Sequence, residues 1–439
     1  MGLVGNCSLR AHSDARGGLD LPWGGSGIDA SLVVRISAQD AGNLSSGWLE
    51  DSPIQRTKVT TPSGECEWLD FAPRFQDHGE IHRPPVLVRI ARPLSGRVLL
   101  IGSFEARGWT VVATGNGVEF HSHGPDRVVR LVGPLAEQAA RGMPFELVEP
   151  SAWIASEGPL ASWLAGPVTA VAEEVLARTR AEWRRYVLGL RLPLEPQQSV
   201  VHCALRIKLA EDEAVGGFTE DVDATALVEA LDALGCIEEL RRFARRADRP
   251  VALVRALLDR RISESSRSNT DVTGWTIVET PPASTKAALW AWGDMRATHL
   301  VAMHLRNLVV AERAREAMQI LRAHVERHCF DERRGLLRAG VDDQGLDPQT
   351  LCAITLGFFA PNEPRARALV AALADLTNHD AGAKPRSRAE LAHALALVGR
   401  VADAREVLAA LVAEGLGHGA LADATAFVRA AFVCSRKWP

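Results

Sequence analysis

Residues 219–235 read TEDVDATALVEALDALG, a group of acids followed directly by a helix whose apolar residues recur three and four positions apart. The same period continues, with short connections, through most of the chain from Pro159 onward. Successive helices joined this closely form antiparallel hairpins, and a long series of hairpins stacks as a solenoid or curls into a toroid. The sequence has no fixed-period repeat of the solenoid kind. Helices are predicted at about 159–184, 199–211, 223–234, 236–246, 249–262, 284–293, 295–312, 314–328, 348–358, 364–376, 386–398, 402–413 and 420–434.

Up to about residue 150 the sequence has a different pattern, in which short β-rich runs alternate with turn residues such as Gly115-Asn116-Gly117. This pattern is typical of an antiparallel sheet. We therefore predict an N-terminal antiparallel β-sandwich over residues 1–150, a linker helix over 151–195 and an all-α toroid over 196–439. The predicted strands are 31–36, 86–90, 97–101, 109–113, 117–121 and 127–132.

Composition and charge restrict the class of protein. The chain has 439 residues, 47% of them hydrophobic, so each of two domains can bury a core. Its formal net charge of -4 provides no positive field that would attract nucleic acid. No run reaches the roughly 20 apolar residues of a membrane span, and the N-terminus lacks the apolar core of a signal peptide. We predict a cytoplasmic protein with a small-molecule substrate and with no nucleic-acid or membrane partner, whose oligomeric state the sequence does not determine.

Cofactor and metal signals are weak. The seven cysteines are scattered and never form a close pair, which predicts reduced, mostly buried thiols. His324 and His328 lie one helical turn apart, a spacing that a metal could use, but they belong to no recognised ligand set. The glycine-rich stretches do not form a phosphate loop ahead of a helix. We therefore predict neither a metal nor a cofactor.

Several segments, in collinear order, resemble the glucoamylase and trehalase family of glycoside hydrolases of the bacterial type. This resemblance implies an N-terminal β-sandwich joined to a six-hairpin α/α toroid. One toroid helix of the family has no counterpart between about residues 246 and 270, which predicts a shortened or open barrel. The segments are GGLDLPW (17–23), TPSGECEWLDFAP (61–73), LVRIARPLSGRVLL (87–100), CALRIKLA (203–210), STKAALWAWGDMR (284–296), GLDPQTLCAITLGFFAPNEPRAR (345–367) and HALALVGRVADAR (393–405).

The segments that correspond to the family's catalytic motifs match poorly. Of the family's Trp-x-Arg-Asp-Ala sugar-binding motif, only Asp223-Ala224 matches. The family's general acid lies in a Trp-Glu pair, to which Trp275 and Glu279 correspond here with three residues between them. The family's base segment is missing ahead of the turn that contains His418. The resemblance thus implies that the fold is kept and that the site is rebuilt.

Residues just before the starts of inner toroid helices are the candidates for the site. We predict Glu279, Asp223, Asp221 and Glu220 as catalytic carboxylates, since apolar neighbours would raise the pKa of a carboxyl group and make it a proton donor. The alternative interpretation is that Asp223 and Asp347 are helix N-caps and that Glu279 is a solvated loop acid. The predicted substrate-binding residues are Trp275, Trp290, Trp292, Asp347, His418 and Arg386.

Three functions are compatible with these residues. The one we favour is carboxylate acid–base chemistry on a natural-product-type intermediate in biosynthesis, such as cyclisation or dehydration. DVDATA (221–226) resembles the Asp-x-Asp-Asp-Thr-Ala motif of class II terpene cyclases, although Ala224 replaces one Asp. The second is hydrolysis of a short α-glucoside or trehalose with a relocated base, such as Glu414, because inversion needs two carboxylates roughly 6.5–9.5 Å apart. The third is a catalytically inactive binding protein.

Overall fold

The computed structural model of the chain forms two compact units. The first comprises Met1–Gly189 and Lys208–Val215, and the second comprises Leu190–Ile207 and Gly216–Pro439. The structure describes residues 2–7, 9–13, 18–21, 31–40, 42–124, 126–158, 166–213, 217–218, 224–236, 239, 281–304, 306, 308–379, 384–415 and 420–436.

The first unit is built on antiparallel strands. Its longer strands are rich in Val, Ile, Leu and aromatic residues, which favour extended backbone. The strands of this unit, long and short, are β1 (Gly2–Gly5), β2 (Arg10–Ser13), β3 (Gly18–Asp20), β4 (Ser31–Ala38), β5 (Asn43–Trp48), β6 (Gln55–Thr61), β7 (Gly64–Phe71), β8 (Phe75–Asp77), β9 (Glu80–His82), β10 (Val86–Gly96), β11 (Leu99–Arg107), β12 (Trp109–Thr114), β13 (Gly117–Ser122), β14 (Val128–Val132), β15 (Phe145–Glu146), β16 (Ser151–Glu157) and β17 (Glu211–Asp212).

Two sheets enclose the core of this unit. Among the described residues, one sheet has the order β1-β2-β3-β4-β11-β15 and the other has the order β12-β13-β14-β16-β10-β7-β6-β5. Side chains from both sheets form one buried cluster, which includes Val34 of β4 and Trp68 of β7. The first unit therefore consists of two antiparallel sheets packed face to face.

The second sheet is covered on its other face by a helix. Alternate residues of β10 point to opposite sides, so Leu87 faces the cluster between the sheets whereas Val88 and Ile90 face outward. The outward residues pack against Val175 and Leu176 of helix α2 (Val168–Leu188), which follows the short helix α1 (Pro134–Ala140). Both faces of this sheet are therefore buried around β10 and β16.

A buried ion pair lies inside the strand unit. Arg89 of β10 donates to Asp70 of β7 through Nε at 2.6 Å and through Nη2 at 2.8 Å. Both side chains are 0% exposed. The guanidinium carbon of Arg89 lies 5.9 Å from the ring centroid of Trp68 and 5.7 Å from that of Trp153. The bidentate bond and the two rings compensate for removing both charges from water.

The second unit is largely helical, as the 3.6-residue period predicts. Its helices are α3 (Gln197–Ala210), whose last three residues belong to the first unit, α4 (Ala224–Leu234), α5 (Thr285–His304), α6 (Leu308–His324), α7 (Cys352–Thr355), α8 (Pro364–His379), α9 (Pro385–Leu397), α10 (Val401–Glu414) and α11 (Leu421–Arg436). Shorter elements are β18 (Gly217–Phe218), β19 (Phe330–Asp331), β20 (Leu336–Leu337), a π-helix (Val325–Cys329) and a 3₁₀ helix (Pro348–Leu351).

These helices alternate between two burial patterns. Residues 288–295 in α5, 350–356 around α7, 389–396 in α9 and 424–431 in α11 are buried without interruption, so other elements surround these four helices, which we call the inner helices. The helices α6, α8 and α10 alternate with the inner helices along the sequence. Each of them buries one face only, which is an amphipathic pattern. Helix α4 packs against α5 and α11, α5 packs against α7, and α9 packs against α7 and α11.

The structure contains elements that the sequence prediction lacked, such as β6, β7 and α1, and two further differences affect packing. Residues 151–157, which the prediction assigned to a linker helix, form β16 between β14 and β10, because alternate residues face the two cores of the strand unit. The predicted break after residue 293 is also absent, and α5 continues through Gly293. A Cβ atom at Gly293 would lie 2.9 Å from Leu356 Cδ1, so glycine here allows α5 to approach the end of α7 closely.

All seven cysteines are free and buried, which confirms the prediction of reduced thiols. Burial raises the pKa of the thiols of Cys66 and Cys203 to about 12 and that of Cys434 to about 11. The folded protein therefore carries these sulfurs as neutral, unreactive groups at neutral pH.

Candidate functional site

Most predicted site residues lie outside the described residues. These are Glu220, Asp221, Asp223, Trp275, Glu279 and His418. Helix α4 begins at Ala224, directly after Asp223 in the sequence. The catalytic role of these acids stays a prediction.

Two predicted substrate-binding residues lie together in the helical unit. Arg386, in the first turn of α9, places its guanidinium carbon 4.3 Å from the ring centroid of Trp290 in α5. Trp290 is only 8% exposed, so the arginine covers an aromatic face that is otherwise enclosed. This cation–π contact joins two inner helices near their starts.

Trp292 has different neighbours from Trp290. Residues two positions apart on an α-helix point to different sides, and Trp292 contacts Phe358 edge-on at a centroid distance of 5.4 Å. The guanidinium carbon of Arg322 in α6 lies 5.6 Å from the same tryptophan ring. Trp290 and Trp292 therefore do not form one aromatic wall, and a substrate-binding role for each stays a prediction.

Asp347 is an N-cap, as the alternative interpretation predicted. Its carboxylate accepts a hydrogen bond of 2.8 Å from the backbone N–H of Gln349, at the start of the 3₁₀ helix. Its carbonyl oxygen accepts the hydroxyl of Thr350 at 2.7 Å. These bonds give Asp347 a structural role, and nothing in its geometry requires a substrate.

Glu414, the alternative catalytic base, is the last residue of α10 and is bound by Arg388 of α9. Arg388 Nη1 donates to both carboxylate oxygens of Glu414, at 2.7 Å and 2.5 Å. This hydrogen bond lowers the pKa of Glu414 and keeps the carboxylate ionised. An ionised carboxylate is the form that a base requires, but the ion pair with Arg388 also lowers the proton affinity of Glu414.

Several helices of the helical unit are joined by a network of charged side chains, which we call the central network. Arg429 of α11 donates from Nε to Glu229 of α4 at 2.9 Å and from Nη1 to Glu390 of α9 at 3.2 Å. Its Nη2 donates to the carbonyl oxygen of Thr355 in α7 at 2.8 Å. Arg296 of α5 donates to the other oxygen of Glu229 at 2.8 Å. One arginine and its partners thus connect α4, α5, α7, α9 and α11.

The network supplies hydrogen-bond partners to charged side chains whose burial without partners would be costly. The side chain of Arg429 is 2% exposed and that of Glu390 is 9% exposed. The hydroxyl of Thr355 donates to Glu390 at 2.5 Å, so the carboxylate is bonded from two sides. Charge-assisted hydrogen bonds of this kind offset the loss of hydration. The region where α4, α5, α7, α9 and α11 meet is therefore polar and holds paired charges.

A cavity of about 330 Å³ opens beside this network. Its walls come from the second halves of the helices around the network. Asp232 lies in the last turn of α4, Thr355 ends α7 and Leu397 ends α9. We call this space the helix-end cavity, and its lining residues are Glu229, Asp232, Ala233, Arg296, Ile354, Thr355, Gly357, Pro361, His393, Leu397, Arg429, Phe432 and Val433.

His393 of α9 is the buried titratable group of this cavity. It is 5% exposed, and within the described ranges its Nδ1 atom has no hydrogen-bond partner. Burial lowers the pKa of His393 well below its usual value, and the positive charge of Arg429 lowers it further. The imidazole is therefore neutral at physiological pH.

Sequence reasoning missed the residues of the network. His393 and Arg296 stand inside segments that resemble the glycosidase family, and Glu229 stands inside the first quoted helix. Their polar character at otherwise apolar helix positions was the available signal. Glu229 and Arg429 are 200 residues apart, so periodicity alone could not pair them.

The described residues show neither a metal-binding group nor a membrane-spanning helix. Across the described ranges, no group of three or more His, Cys, Asp or Glu side chains is arranged to hold a metal ion. In the same part of the chain, no helix has both the length and the apolar character needed to cross a bilayer. His324 instead bonds the carbonyl oxygen of Pro282 at 3.1 Å, and His328 lies beside it with ring centroids 5.1 Å apart.

Comparison with solved structures supports the fold predicted by the resemblance. A bacterial glucoamylase, whose structure was determined in complex with acarbose, matches with a TM-score of 0.63 at 12% sequence identity, covering 98% of this chain and 92% of that chain. A rhamnosidase from Klebsiella oxytoca with rhamnose bound matches at 8% identity over 91% of this chain and 96% of that chain. Its TM-score of 0.38 is too low to support an inference.

Sequence comparisons are negative: no protein-family profile and no curated protein match the chain. The structural match to the glucoamylase is nevertheless almost complete in both chains. The chain therefore has a glucoamylase-like glycoside hydrolase fold, which confirms the resemblance read from its sequence. At 12% identity this similarity defines the fold alone.

Proposed function

We propose that the chain is an enzyme that performs carboxylate acid–base chemistry on a small molecule, on a glucoamylase-like scaffold that has lost the sugar-binding motif. We further propose that its helices form a shortened α/α toroid. The alternation of surrounded and amphipathic helices supports this arrangement, as does the packing of α4, α5, α7, α9 and α11 against one another. In such a toroid the loops before the inner helices line one end of a central space.

The observation that carries the proposal concerns α4. This helix begins directly after Asp223 in the sequence, and its Glu229 bonds Arg429 in the central network. The same helix that follows the acidic group therefore belongs to the group of helices that meet at the centre. Acids at its start would benefit from the free backbone N–H groups of the first turn.

Dehydration and cyclisation are the reactions that we assign. In a dehydration, Glu279 would give its proton to a leaving hydroxyl group, and the C–O bond would break with release of water. A carboxylate of the group Glu220, Asp221 and Asp223 would take a proton from the adjacent carbon to form the double bond. In a cyclisation, the same donor would protonate an alkene or epoxide, whose cationic carbon is then attacked by another alkene of the same molecule. A carboxylate of the acidic group would take a proton from the cation that results, which leaves a neutral cyclic alkene. Neither reaction needs a terminal-glucose site.

The test uses conversion of small molecules rather than binding. Purified protein is incubated with a small-molecule extract of its source organism, and mass spectrometry follows loss of water or isomerisation of any component. We expect Glu279→Gln and Asp223→Asn to reduce such a conversion by roughly 100-fold or more. Glu312→Gln is the matched control, because Glu312 is an exposed acid on α6 that pairs with Arg315. Equal conversion by all three variants would remove these acids from the mechanism.

The glycosidase alternative predicts a different result with defined probes. An intact sugar site would bind acarbose and release glucose from trehalose or maltose. We expect neither, since the sugar-binding motif is reduced to Asp223-Ala224. Glucose release that depends on Glu279 would replace our proposal with hydrolysis.

The binding-protein alternative has one favourable observation. Trp290 is covered by Arg386, and the central network pairs its charges, so these described groups are stabilised without a reaction. A protein of this kind would bind a component of the extract and return it unchanged. Ligand retention without conversion would therefore favour this alternative.

A further inference from the structure

Strand β12 forms one edge of the larger sheet of the strand unit. On one side it pairs with β13, in a register that places Val112 opposite Glu119. On its other side, no strand pairs with it among the described residues. Edge strands of this kind offer a row of unpaired backbone groups to another chain.

The hydrogen bonds to β13 determine which backbone groups of β12 face outward. The carbonyl oxygen of Gly108, next to the strand, accepts the N–H of His123 at 3.0 Å. Bonded and non-bonded pairs alternate along antiparallel strands, so the even-numbered residues of β12 bond β13. The N–H and C=O groups of Val111 and Ala113 therefore point away from the sheet. Within the described ranges, no backbone hydrogen bond reaches these outward groups.

The side chains of β12 lack the usual protection of an edge strand. After the buried Trp109, residues 110–114 (TVVAT) are all exposed, with Val111 at 45% and Val112 at 41%. They include no charged residue and no proline, which are the residues by which natural sheets block edge pairing. Val111 lies opposite Phe120, which is 0% exposed in the core between the sheets. The apolar face of the sheet thus continues onto β12, where solvent reaches it.

The opposite edge of the same sheet has a different character. Strand β5, with the sequence NLSSGW, carries polar side chains at three of its six positions. Its glycine weakens the preference for extended backbone. At its end, Trp48 donates from Nε1 to the carbonyl oxygen of Leu3 in β1 at 2.9 Å. In the described part of this sheet, the edge that is both apolar and uncovered is therefore β12.

The sequence of β12 favours a second copy of itself as the partner, because it is nearly symmetric about Val112. An antiparallel copy centred there places Val112 opposite Val112, Val111 opposite Ala113 and Thr110 opposite Thr114. The outward backbone groups of Val111 then meet those of Ala113, and each of the two such pairs exchanges two hydrogen bonds. The facing side chains are mostly β-branched and uncharged, a combination that stabilises cross-strand pairs.

We propose that two copies of this chain pair antiparallel through β12, which joins their larger sheets across a two-fold axis. Both copies use the same surface, so the assembly closes at the dimer. A contact of one short strand buries less than the roughly 1,200–2,000 Å² of a stable interface, so the dimer is reversible and depends on concentration. This pairing involves only the strand unit and does not depend on the proposed acid–base function.

Cysteine cross-linking tests the register. In the two-fold pair, Val112 faces its own copy in a non-hydrogen-bonded pair, at a Cα–Cα distance of about 4.5 Å that a disulfide can span. We expect Val112→Cys to form a disulfide-linked dimer under mild oxidation, measured by non-reducing electrophoresis and intact mass. The seven natural cysteines are buried, so the wild type should stay unlinked.

Thr110→Cys is the matched control, because Thr110 is exposed and lies two residues from Val112 on the same face of β12. In the proposed register Thr110 lies about 14 Å from its own copy, which no disulfide can span, so this variant alone should stay unlinked. Mixed with Thr114→Cys, it should form a linked dimer of the two variants. Ser45→Cys, on the exposed edge β5, measures the background of random collisions.

Analytical ultracentrifugation measures the reversible dimer without a cross-link. Val112→Lys places two like charges opposite each other and should raise the dissociation constant by about tenfold or more. Asn43→Lys adds the same charge to β5 and should leave the dissociation constant unchanged. Ala113→Pro removes an outward N–H that β13 does not use, so it should also weaken the dimer. Circular dichroism and thermal unfolding check that each variant is folded.

Three results would overturn the proposal. The first is a wild-type protein that stays monomeric at every concentration reached. The second is cross-linking of Val112→Cys that does not exceed that of Thr110→Cys or Ser45→Cys, which would indicate random collision or pairing at another edge. The third is self-association that continues beyond the dimer as the concentration rises, which would indicate head-to-tail pairing of β12 with β5.

Discussion

The strand unit and the helical unit each bury an arginine with carboxylate partners, but only one of these networks meets a cavity. Arg89 and Asp70 are 0% exposed and are enclosed by Trp68 and Trp153. Arg429 is similarly buried, yet its partner Glu229 is 29% exposed and lines the helix-end cavity. The first network is sealed by its own rings, whereas the second ends at an accessible surface.

The difference teaches where function is to be sought. A sealed pair contributes to the choice of one fold and has no route to a ligand. A network that ends in a cavity can exchange hydrogen bonds with whatever enters. The helical unit, rather than the strand unit, is therefore where the described charges can take part in recognition.

The largest expected effect comes from breaking the sealed pair. Asp70→Ala leaves Arg89 buried and uncompensated, which should lower the free energy of unfolding by roughly 3–5 kcal/mol. Urea unfolding of the variant measures the change. The matched control is Asp70→Leu combined with Arg89→Met, which should recover most of the loss. A double variant as unstable as the single one would show that packing, not charge, is responsible.

The open network should be more tolerant. Glu229→Gln removes one carboxylate from Arg429 and Arg296, but water in the cavity can replace it, so we expect a loss of about 1–2 kcal/mol. The same urea experiment gives this value. A loss as large as that of Asp70→Ala would mean that the cavity does not solvate the network and would remove the distinction between the two networks.

His393 adds a dependence on pH to the helical unit. Its pKa is depressed in the folded state, so between that value and the unfolded value of about 6.5 the unfolded chain binds more protons. Stability should therefore be complete above pH about 6.5 and fall as the pH decreases below it, by up to about 1.4 kcal/mol per pH unit.

The comparison that isolates this effect is wild type against His393→Leu. The pKa of His324 is also lowered, so the variant keeps a smaller dependence of the same sign. Thermal unfolding between pH 5 and pH 8 measures the difference between the two slopes. Identical slopes would contradict a buried neutral imidazole at this position.

The smallest effect concerns the cap at Asp347. Asp347→Ala should lower the free energy of unfolding by about 1 kcal/mol, since the N–H of Gln349 loses its acceptor. Asp347→Asn preserves an acceptor oxygen and should be nearly neutral. A change in substrate conversion with unchanged stability would instead restore the predicted binding role of Asp347.

The sequence predicted the helices, which follow from local periodicity, better than the elements that depend on contacts between distant segments. The helices α8, α9 and α10 begin within one residue of their predicted positions, because Pro364 and Pro385 mark two of the starts. Strand β5 was missed, since NLSSGW lacks β-branched residues and is extended only through its pairing with β6.

The site could be predicted only in part. Local patterns identified Arg386 and Trp290 as candidates, and the two residues are in contact. They also placed Trp292 beside Trp290, although the helical period directs the two rings to different neighbours. The Arg429 network was beyond the reach of local patterns, because its partners come from four other segments of the chain.

The seven buried cysteines have a practical consequence for studying the two units. A thiolate is the species that reacts with alkylating reagents, and these sulfurs become accessible thiolates only when their surroundings open. Cys7 and Cys66 belong to the strand unit, whereas Cys203, Cys236, Cys329, Cys352 and Cys434 belong to the helical one. Timed alkylation followed by peptide mass analysis would thus measure the opening rate of each unit in one sample of the wild-type protein, without engineered cysteines.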